Sequence, residues 1–289
     1  MQTFHYNTLD VEGRTFRLLR LIGGDGPQIE CEIFEAWLMG NHTIPFEALS
    51  YTWGDLTTPH EITLNSAKLA ITGNLHSALR HLRIADEDRS MWIDAICIDQ
   101  SNEEERGHQV GQMGDIYSQA EQVIFWLGNA TPKVNFVMTA LKRLERRAQK
   151  ESATGWSPLD KRWQKLWLLM QRPWFQRVWI LQEVARAKRA VVCTGTRVIS
   201  SRIFAIAPRF IHITPIAHCQ AVLDIMPGTS REHSWWSQKR DLYTLLQRFR
   251  YSKASDPRDK VYAILGISSD ATTTYDLQPD YTKTTEQVI

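Results

Sequence analysis

The run from Met91 to Gly128 constrains the fold more than any other part of the chain. Met91 to Ile98 is apolar and strand-like, Ser101 to Ala120 carries helical spacing, and Val123 to Leu127 is apolar again. Strand, helix and strand in so short a stretch make one β-α-β unit, whose two strands are expected to run parallel with a right-handed crossover. In an open parallel sheet, ligands bind outside the carboxyl ends of the strands. Asp99 and Gln100, where the first strand is expected to give way to the helix, therefore stand where chemistry is expected.

The 289 residues suffice for one large domain or two small ones with a real core. Charged residues make up 23% and apolar ones 43%, the balance of a soluble globular chain. A net charge of +2 with scattered basic residues forms no basic stripe, which argues against a nucleic-acid partner. No apolar run reaches the roughly 18 residues of a membrane span, and the N-terminus has no signal-like apolar region. A cytoplasmic, reducing setting is expected. Cys31, Cys97, Cys193 and Cys219 form no CxxC pair, and the histidines show no HExxH spacing, so no metal site is expected. Asn41, His42 and Thr43 match a glycosylation acceptor, which without a signal peptide reads as chance. Six tryptophans fall between Trp126 and Trp179 and read first as an aromatic core.

Residues 1–45 alternate strand-like pieces, Phe16 to Ile22 and Ile29 to Phe34, about a turn at Gly23 to Gly26. That turn lacks GxxxxGK[ST] spacing and is expected to be a hairpin rather than a phosphate loop. Phe46 to Tyr51 is a short strand leading into Thr52 to Asp55. Ile62 to Thr72 alternates about Asn65 and Ser66, a second hairpin. Thr72 or Asn74 then caps a helix with Leu75, Leu79 and Leu82 on its apolar face. Ser101 and Glu104 have capping-box spacing ahead of a buried stripe of Val110, Met113, Ile116, Tyr117 and Ala120. Farther on, Leu141 to Arg147 reads as a solvated basic helix face, and residues 159–171 as another helical block. Pro173 suits the first position of a helix reaching about Ala187, and Ala190 to Thr194 as a strand. Two more helices are expected, one with Leu242, Leu245, Leu246 and Phe249 and one from Asp256 to Gly266. The last residues begin a helix at Thr284 or Thr285, and the expectation is a fragment of a longer protein.

Polar residues at the carboxyl ends of these strands are the candidates for chemistry: Tyr51, Thr52, Trp53 and Asp55 from the first, Asp99 and Gln100 from the second. The helix opening at Pro173 adds Arg177, Trp179 and Glu183, the last two one turn apart on one face. A carboxylate beside an aromatic shelf can orient a ribose or stabilise a developing cation, and exclusion of water raises its pKa. The competing reading is a surface ion pair of Glu183 with Arg186. Asp94 reads as a mid-strand hydrogen-bond hub. Cys97 and His108 lack the third residue a nucleophilic pair needs. Arg106 and Gln109, near a helix start, suit an anion or a capping network.

Four blocks in one order carry a resemblance: Phe46 to Asp55, Trp92 to Gly128, Arg172 to Glu183, and Asp256 to Gly266. Together they resemble the fungal heterokaryon incompatibility (HET) domain. The HET domain is in turn distantly similar to TIR domains, and Trp179 to Glu183 looks like the W-x-x-x-E helix on which TIR NAD-cleaving enzymes carry their glutamate. Against that pattern the hairpin 60–72 and the segment 129–172 are insertions, and the loop after Asp99 lacks the usual glycine.

The resemblance implies an α/β, TIR-like (flavodoxin-like), doubly wound and mostly parallel sheet with helical C-terminal additions. Residues 1–45 would be a β-rich extension and 46–289 the HET domain, with a TIR-like core at about 46–195 and helical additions over 196–289. It implies an effector of non-self recognition that triggers programmed cell death, with Glu183 cleaving the nicotinamide–ribose bond of NAD as substrate, with no cofactor. Tyr51, Trp53, Asp55, Asp99, Gln100, Arg106, Arg177 and Trp179 would bind that substrate. Self-association and an incompatibility partner protein are the expected partners. The alternative is a non-enzymatic signalling module acting by self-association and partner recruitment.

Overall fold

The computed structural model describes residues 2–38, 44–55, 57–148, 163–210, 212–271 and 279–288. The acceptor at Asn41 to Thr43 and the start of the helical block at 159 lie outside them. In chain order the first elements are β1 (Thr15–Leu21), β2 (Glu30–Trp37), β3 (Glu47–Tyr51), β4 (His60–Leu64), β5 (Ala67–Ile71) and α1 (Gly73–Leu82). Then come β6 (Arg89–Trp92), α2 (Asp94–Cys97), α3 (Glu103–Gln119), β7 (Gln122–Trp126) and α4 (Pro132–Ala148). The chain continues through α5 (Trp167–Met170), α6 (Ile180–Arg186), β8 (Ala190–Thr194) and β9 (Arg197–Ser200). Helices α7 (Ser201–Phe210), α8 (Ala217–Asp224), α9 (Thr229–Glu232), α10 (Leu242–Phe249), α11 (Asp259–Leu265) and α12 (Thr285–Val288) complete it.

Among the described residues nine strands join one sheet in the order β5-β4-β2-β1-β6-β3-β7-β8-β9. Its centre, β6-β3-β7-β8, is parallel. Strands β3 and β7 are buried along nearly their whole length, as expected where helices cover both faces. The sheet is mixed rather than mostly parallel, because the hairpins β1-β2, β4-β5 and β8-β9 pair antiparallel at its flanks. The N-terminal strands extend the same sheet: β1 pairs antiparallel with β6. Asn65 and Ser66 both take positive φ, the twisted turn that lets β4 and β5 close as a two-residue hairpin.

The local readings that held rest on side-chain period. Thr72 Oγ1 accepts from Leu75 N and caps α1, whose Leu75, Leu79 and Leu82 are buried. The stripe of α3 is buried as expected, with Val110, Met113, Ile116 and Tyr117 inward. Of the clustered tryptophans, Trp126 and Trp174 are core, Trp167 is exposed, and Trp179 is half-buried.

Three expectations are corrected, each bearing on the site. The strand expected over 91–98 ends at Trp92, and Asp94 opens the single turn α2. Asp94 Oδ1 accepts from Ala95 N at 2.8 Å, and the Ile93 carbonyl accepts from Cys97 N, so local bonds replace the ladder. Asp94 thus stands just past the carboxyl end of β6 rather than mid-strand, and Cys97 lies in the helical turn. The cap of α3 is Asn102, whose side chain accepts from Glu105 N, not Ser101. The helix from Pro173 to Ala187 is broken: a 3-10 turn over Pro173–Gln176 gives way to extended backbone at Arg177, and α6 begins at Ile180. Arg177 leaves the helical path because residues 176–178 pair with Lys253, Lys253 N donating to the Gln176 carbonyl and Val178 N to the Lys253 carbonyl.

Candidate functional site

Where β3 and β6 end, the chain opens a cleft of about 580 Å³, within the size of small-molecule sites. One wall comes from the strand ends. Asn74, at the start of α1, donates from Nδ2 to the Thr52 carbonyl and accepts from Trp126 Nε1 at 3.0 Å, which fixes the path out of β3 against the end of β7. Gly54 follows at φ +78, a left-handed conformation that costs a side chain strain. That turn leaves Trp53 39% exposed, with its indole Nε1 donating to Asp94 Oδ2 at 2.9 Å. Gln100 Nε2 donates to the Asp94 carbonyl at 3.1 Å.

The opposite wall comes from the helical region. Trp179 Nε1 donates to Asp259 Oδ2 at 3.0 Å, and Tyr281 donates its hydroxyl to Asp259 Oδ1 at 2.8 Å. Two indole–carboxylate pairs, Trp53 with Asp94 and Trp179 with Asp259, therefore line one cleft. Burial raises both aspartates above the ordinary carboxylate range. The Arg177 charge and the Trp53 bond pull Asp94 back down, and the Tyr281 and Trp179 bonds do so for Asp259.

Arg177 joins the cleft to the interior. It lines the cleft, donates from Nη1 to the Tyr51 carbonyl, and places the same nitrogen 3.6 Å from Glu183 Oε1. Glu183 is 1% exposed and neither carboxylate oxygen finds a hydrogen-bond partner among the described residues. The Ser50 hydroxyl, which accepts Trp174 Nε1 at 2.8 Å, lowers its pKa slightly without completing a bond of normal geometry. Burial pushes the Glu183 carboxyl up to about 7, Arg177 pulls it down and Asp94 pushes it up. Burial pulls Arg177 down, but Glu183 and Asp94 outweigh it and hold the guanidinium above its ordinary range. At the far end of α6, Arg231 donates to the Val184, Ala187 and Ile225 carbonyls and so caps the helix carrying Glu183.

The residues expected from sequence divide accordingly. Trp53, Gln100, Arg106, Arg177 and Trp179 line the cleft. Glu183 and Tyr51 are buried and off its wall, each in contact with Arg177. Asp55 is turned to its own loop, accepting from Thr57 Oγ1 and N. Asp99 likewise accepts from Ser101 N and Oγ and is not on the wall. Glu183 pairs with Arg177, whereas Arg186 donates to the Gly266 carbonyl, so the surface ion pair with Arg186 does not form. Cys97 is buried with its thiol pushed up to about 12 by burial, and His108 sits against Gln112, so no thiol–imidazole pair forms. Gln109 donates to the Thr15 carbonyl. Sequence reading missed Asp259, Tyr281 and the cleft position of Asp94. The indole-bearing blocks were visible, but their carboxylate partners come from 41 and 80 residues away.

Among the described residues no group of three or more His, Cys, Asp or Glu is arranged to hold a metal, and no helix is long and apolar enough to cross a membrane.

Residues 46–183 match the family model described as Heterokaryon incompatibility protein (HET), a stretch that holds Trp53, Asp94, Arg177, Trp179 and Glu183. The chain is 29% identical over 305 aligned positions to Heterokaryon incompatibility protein 6, OR allele, of Neurospora crassa, covering 82% of this chain and 45% of that protein. It thus spans about half the length of the curated relative it matches. No solved structure matches. Both comparisons find a likeness to heterokaryon incompatibility proteins.

Proposed function

We propose that this chain is the effector domain of a non-self recognition response and that it kills by cleaving NAD in the cleft between Trp53 and Trp179. The observation that carries the reading is Glu183: a buried carboxyl group whose oxygens have no hydrogen-bond partner of normal geometry among the described residues, and which is paired with a guanidinium that reaches the cleft. Leaving a buried carboxylate unsatisfied costs stability, and such groups concentrate where chemistry needs them.

In the proposed reaction the N-glycosidic bond between nicotinamide and ribose C1′ breaks, and its electron pair leaves with neutral nicotinamide. The ionised Glu183 stabilises the oxocarbenium-like ribose, as carboxylates do in glycoside cleavage. Water adds at C1′ and loses its proton, giving ADP-ribose. Trp53 and Trp179 offer ring faces, Arg106 and Gln100 polar contacts, and Arg177 is displaced from Glu183 or shared with the substrate. The likeness of Trp179 to Glu183 to the W-x-x-x-E helix of TIR NAD-cleaving enzymes supports the same reading.

The test is made in fungal cells expressing the chain or its Glu183→Gln form at equal levels. Wild-type expression is expected to empty the NAD pool before viability falls, and Glu183→Gln to do neither. Death with an intact NAD pool would instead favour a signalling module that works by self-association.

A further inference from the structure

One wall of the cleft is closed by a segment that the proposed chemistry leaves unused. Tyr281, within the segment 280–284, lines the cleft. Arg258 holds the segment by donating from Nη1 to the Tyr281 and Lys283 carbonyls at 2.8 and 2.5 Å, and Tyr262 donates its hydroxyl to the Asp280 carbonyl at 2.8 Å. Thr282 and Thr284 are exposed and bond only to near neighbours, Thr282 to Asp280 and Thr284 to Gln287, among the described residues.

The place taken by the Tyr281 ring has the features of a base-binding slot. The Arg106 and Arg258 guanidiniums lie 4.6 and 5.2 Å from the ring centroid. Guanidinium planes stack on nucleobases as they do on aromatic side chains. At the ring's edge, Asp259 Oδ1 accepts the tyrosine hydroxyl. A carboxylate there demands an N–H or O–H donor, which the exocyclic amine of adenine supplies.

Beside the slot, Arg106 is underused. Its Nε is buried without a hydrogen-bond partner among the described residues, and Glu103, its carboxylate neighbour, is 3.7 Å away and mostly exposed. Arg258, by contrast, is engaged by Asp256. A guanidinium with spare donors on a cleft wall suits a phosphate.

We propose that Tyr281 occupies from within the subsite for an adenine nucleotide, its ring standing for the base and its hydroxyl for the exocyclic amine, with Arg258 stacking on the base and Arg106 turning its donors to the phosphate. The segment 280–284 is then an internal competitor, and a nucleotide enters only as the segment leaves. This rests on the reading of the cleft as a nucleotide site, but it concerns binding and not cleavage.

AMP is the probe, because it carries the base and phosphate and has no nicotinamide bond to break. Binding is measured by calorimetry on the whole chain and its Tyr281→Ala and Tyr281→Phe forms. Removing an internal competitor raises apparent affinity by the fraction of sites it frees, so about tenfold or more is expected for Tyr281→Ala and less for Tyr281→Phe, which keeps the ring. In the wild-type chain, AMP is expected to speed tryptic cleavage after Lys283, read by mass spectrometry, because the segment must leave. Equal affinity in all three forms with unchanged cleavage at Lys283 would overturn the competitor while leaving Glu183-dependent nicotinamide release intact. Absence of AMP binding in all three would overturn the subsite itself. Should Tyr281→Ala fail to fold, Tyr281→Phe and the wild-type cleavage rate decide.

Discussion

Arg177 Nη1 stands 3.6 Å from Glu183 Oε1, while neither carboxylate oxygen has a hydrogen-bond partner of normal geometry among the described residues. The same guanidinium is bonded to the Tyr51 carbonyl and lines the cleft. Breaking the helix at Arg177 by pairing with Lys253 is what places it there. Local backbone, a buried pair and an open cleft are therefore tied through one side chain.

Replacing Arg177 with Met should destabilise the chain by about 3–5 kcal/mol, the cost of leaving buried charge without its partner. It should also move the Glu183 carboxyl further up, since the group that lowers it is gone. Urea unfolding measures the first, and the pH dependence of that stability the second. A loss within experimental error would mean that Glu183 and Asp94 are already neutral near pH 7.

Glu183 gives stability a recognisable pH dependence. Its folded value, about 7, lies above the ordinary 4.5, so the folded chain binds the proton more tightly. The stabilisation is complete below about pH 4.5 and is lost as pH rises through about 7. Glu183→Gln cannot lose it, so above pH 7 it should be the more stable form by on the order of 2–3 kcal/mol. Asp94, Arg177, Tyr51 and Tyr117 face the same group, so only the difference between the two unfolding curves assigns the effect. A flat difference from pH 4.5 to 8 would contradict it.

The same titration shapes activity in the opposite sense. The ionised carboxylate is the form that stabilises a cationic ribose, so NAD cleavage should rise with pH through about 7 and level off above it. Nicotinamide release at saturating NAD between pH 5 and 9 checks this. Activity that falls across that range would require Glu183 to act as a proton donor.

The N-terminal strands are tied to the cleft by a buried pair. Arg17 donates to Glu105 at 2.5 and 2.9 Å, and Glu105 Oε1 also accepts from Asp99 N at 2.7 Å. Arg17→Met alone should cost about 3–5 kcal/mol, and Arg17→Met with Glu105→Leu distinctly less than the two single costs added. A double-mutant cycle by chemical denaturation reads the coupling. Additive costs would mean that the pair contributes nothing beyond packing.

At the other end of α6, burial pulls the Arg231 guanidinium down to about 10, and it donates to the last carbonyls of that helix. Arg231→Ala should destabilise by about 2–4 kcal/mol through the carbonyls left unpaired. Hydrogen exchange should show the loss first in the amides of residues 180–186. Uniform loosening across the sheet would place its role elsewhere.

Much of the sheet and its helices was legible because their signals are local. Leu75, Leu79 and Leu82 repeat at helical period, Asn65 and Ser66 mark a tight turn, and β7 is apolar from Val123 to Trp126. Met91 to Ile98 was not legible, because a short apolar run fits a strand or a buried helical turn equally well. The bonds of Asp94 Oδ1 to Ala95 N and of the Ile93 carbonyl to Cys97 N separate the two. The break at Arg177 depends on Lys253, and the far wall depends on Asp259 meeting Trp179 across 80 residues. Sequence period carries no information about such meetings. That is why Trp53 and Trp179, which line the cleft, could be named beforehand while Asp259 and Tyr281 could not.

The most direct measurement is nicotinamide release from NAD by the purified chain at high concentration, beside Glu183→Gln with its fold checked by circular dichroism. The expected result is release by the wild type and loss of at least about a hundredfold in a folded Glu183→Gln, in line with removal of a transition-state charge partner. Equal release by both forms, or none from the wild type even when it is forced to self-associate, would contradict a Glu183-centred NAD-cleaving site.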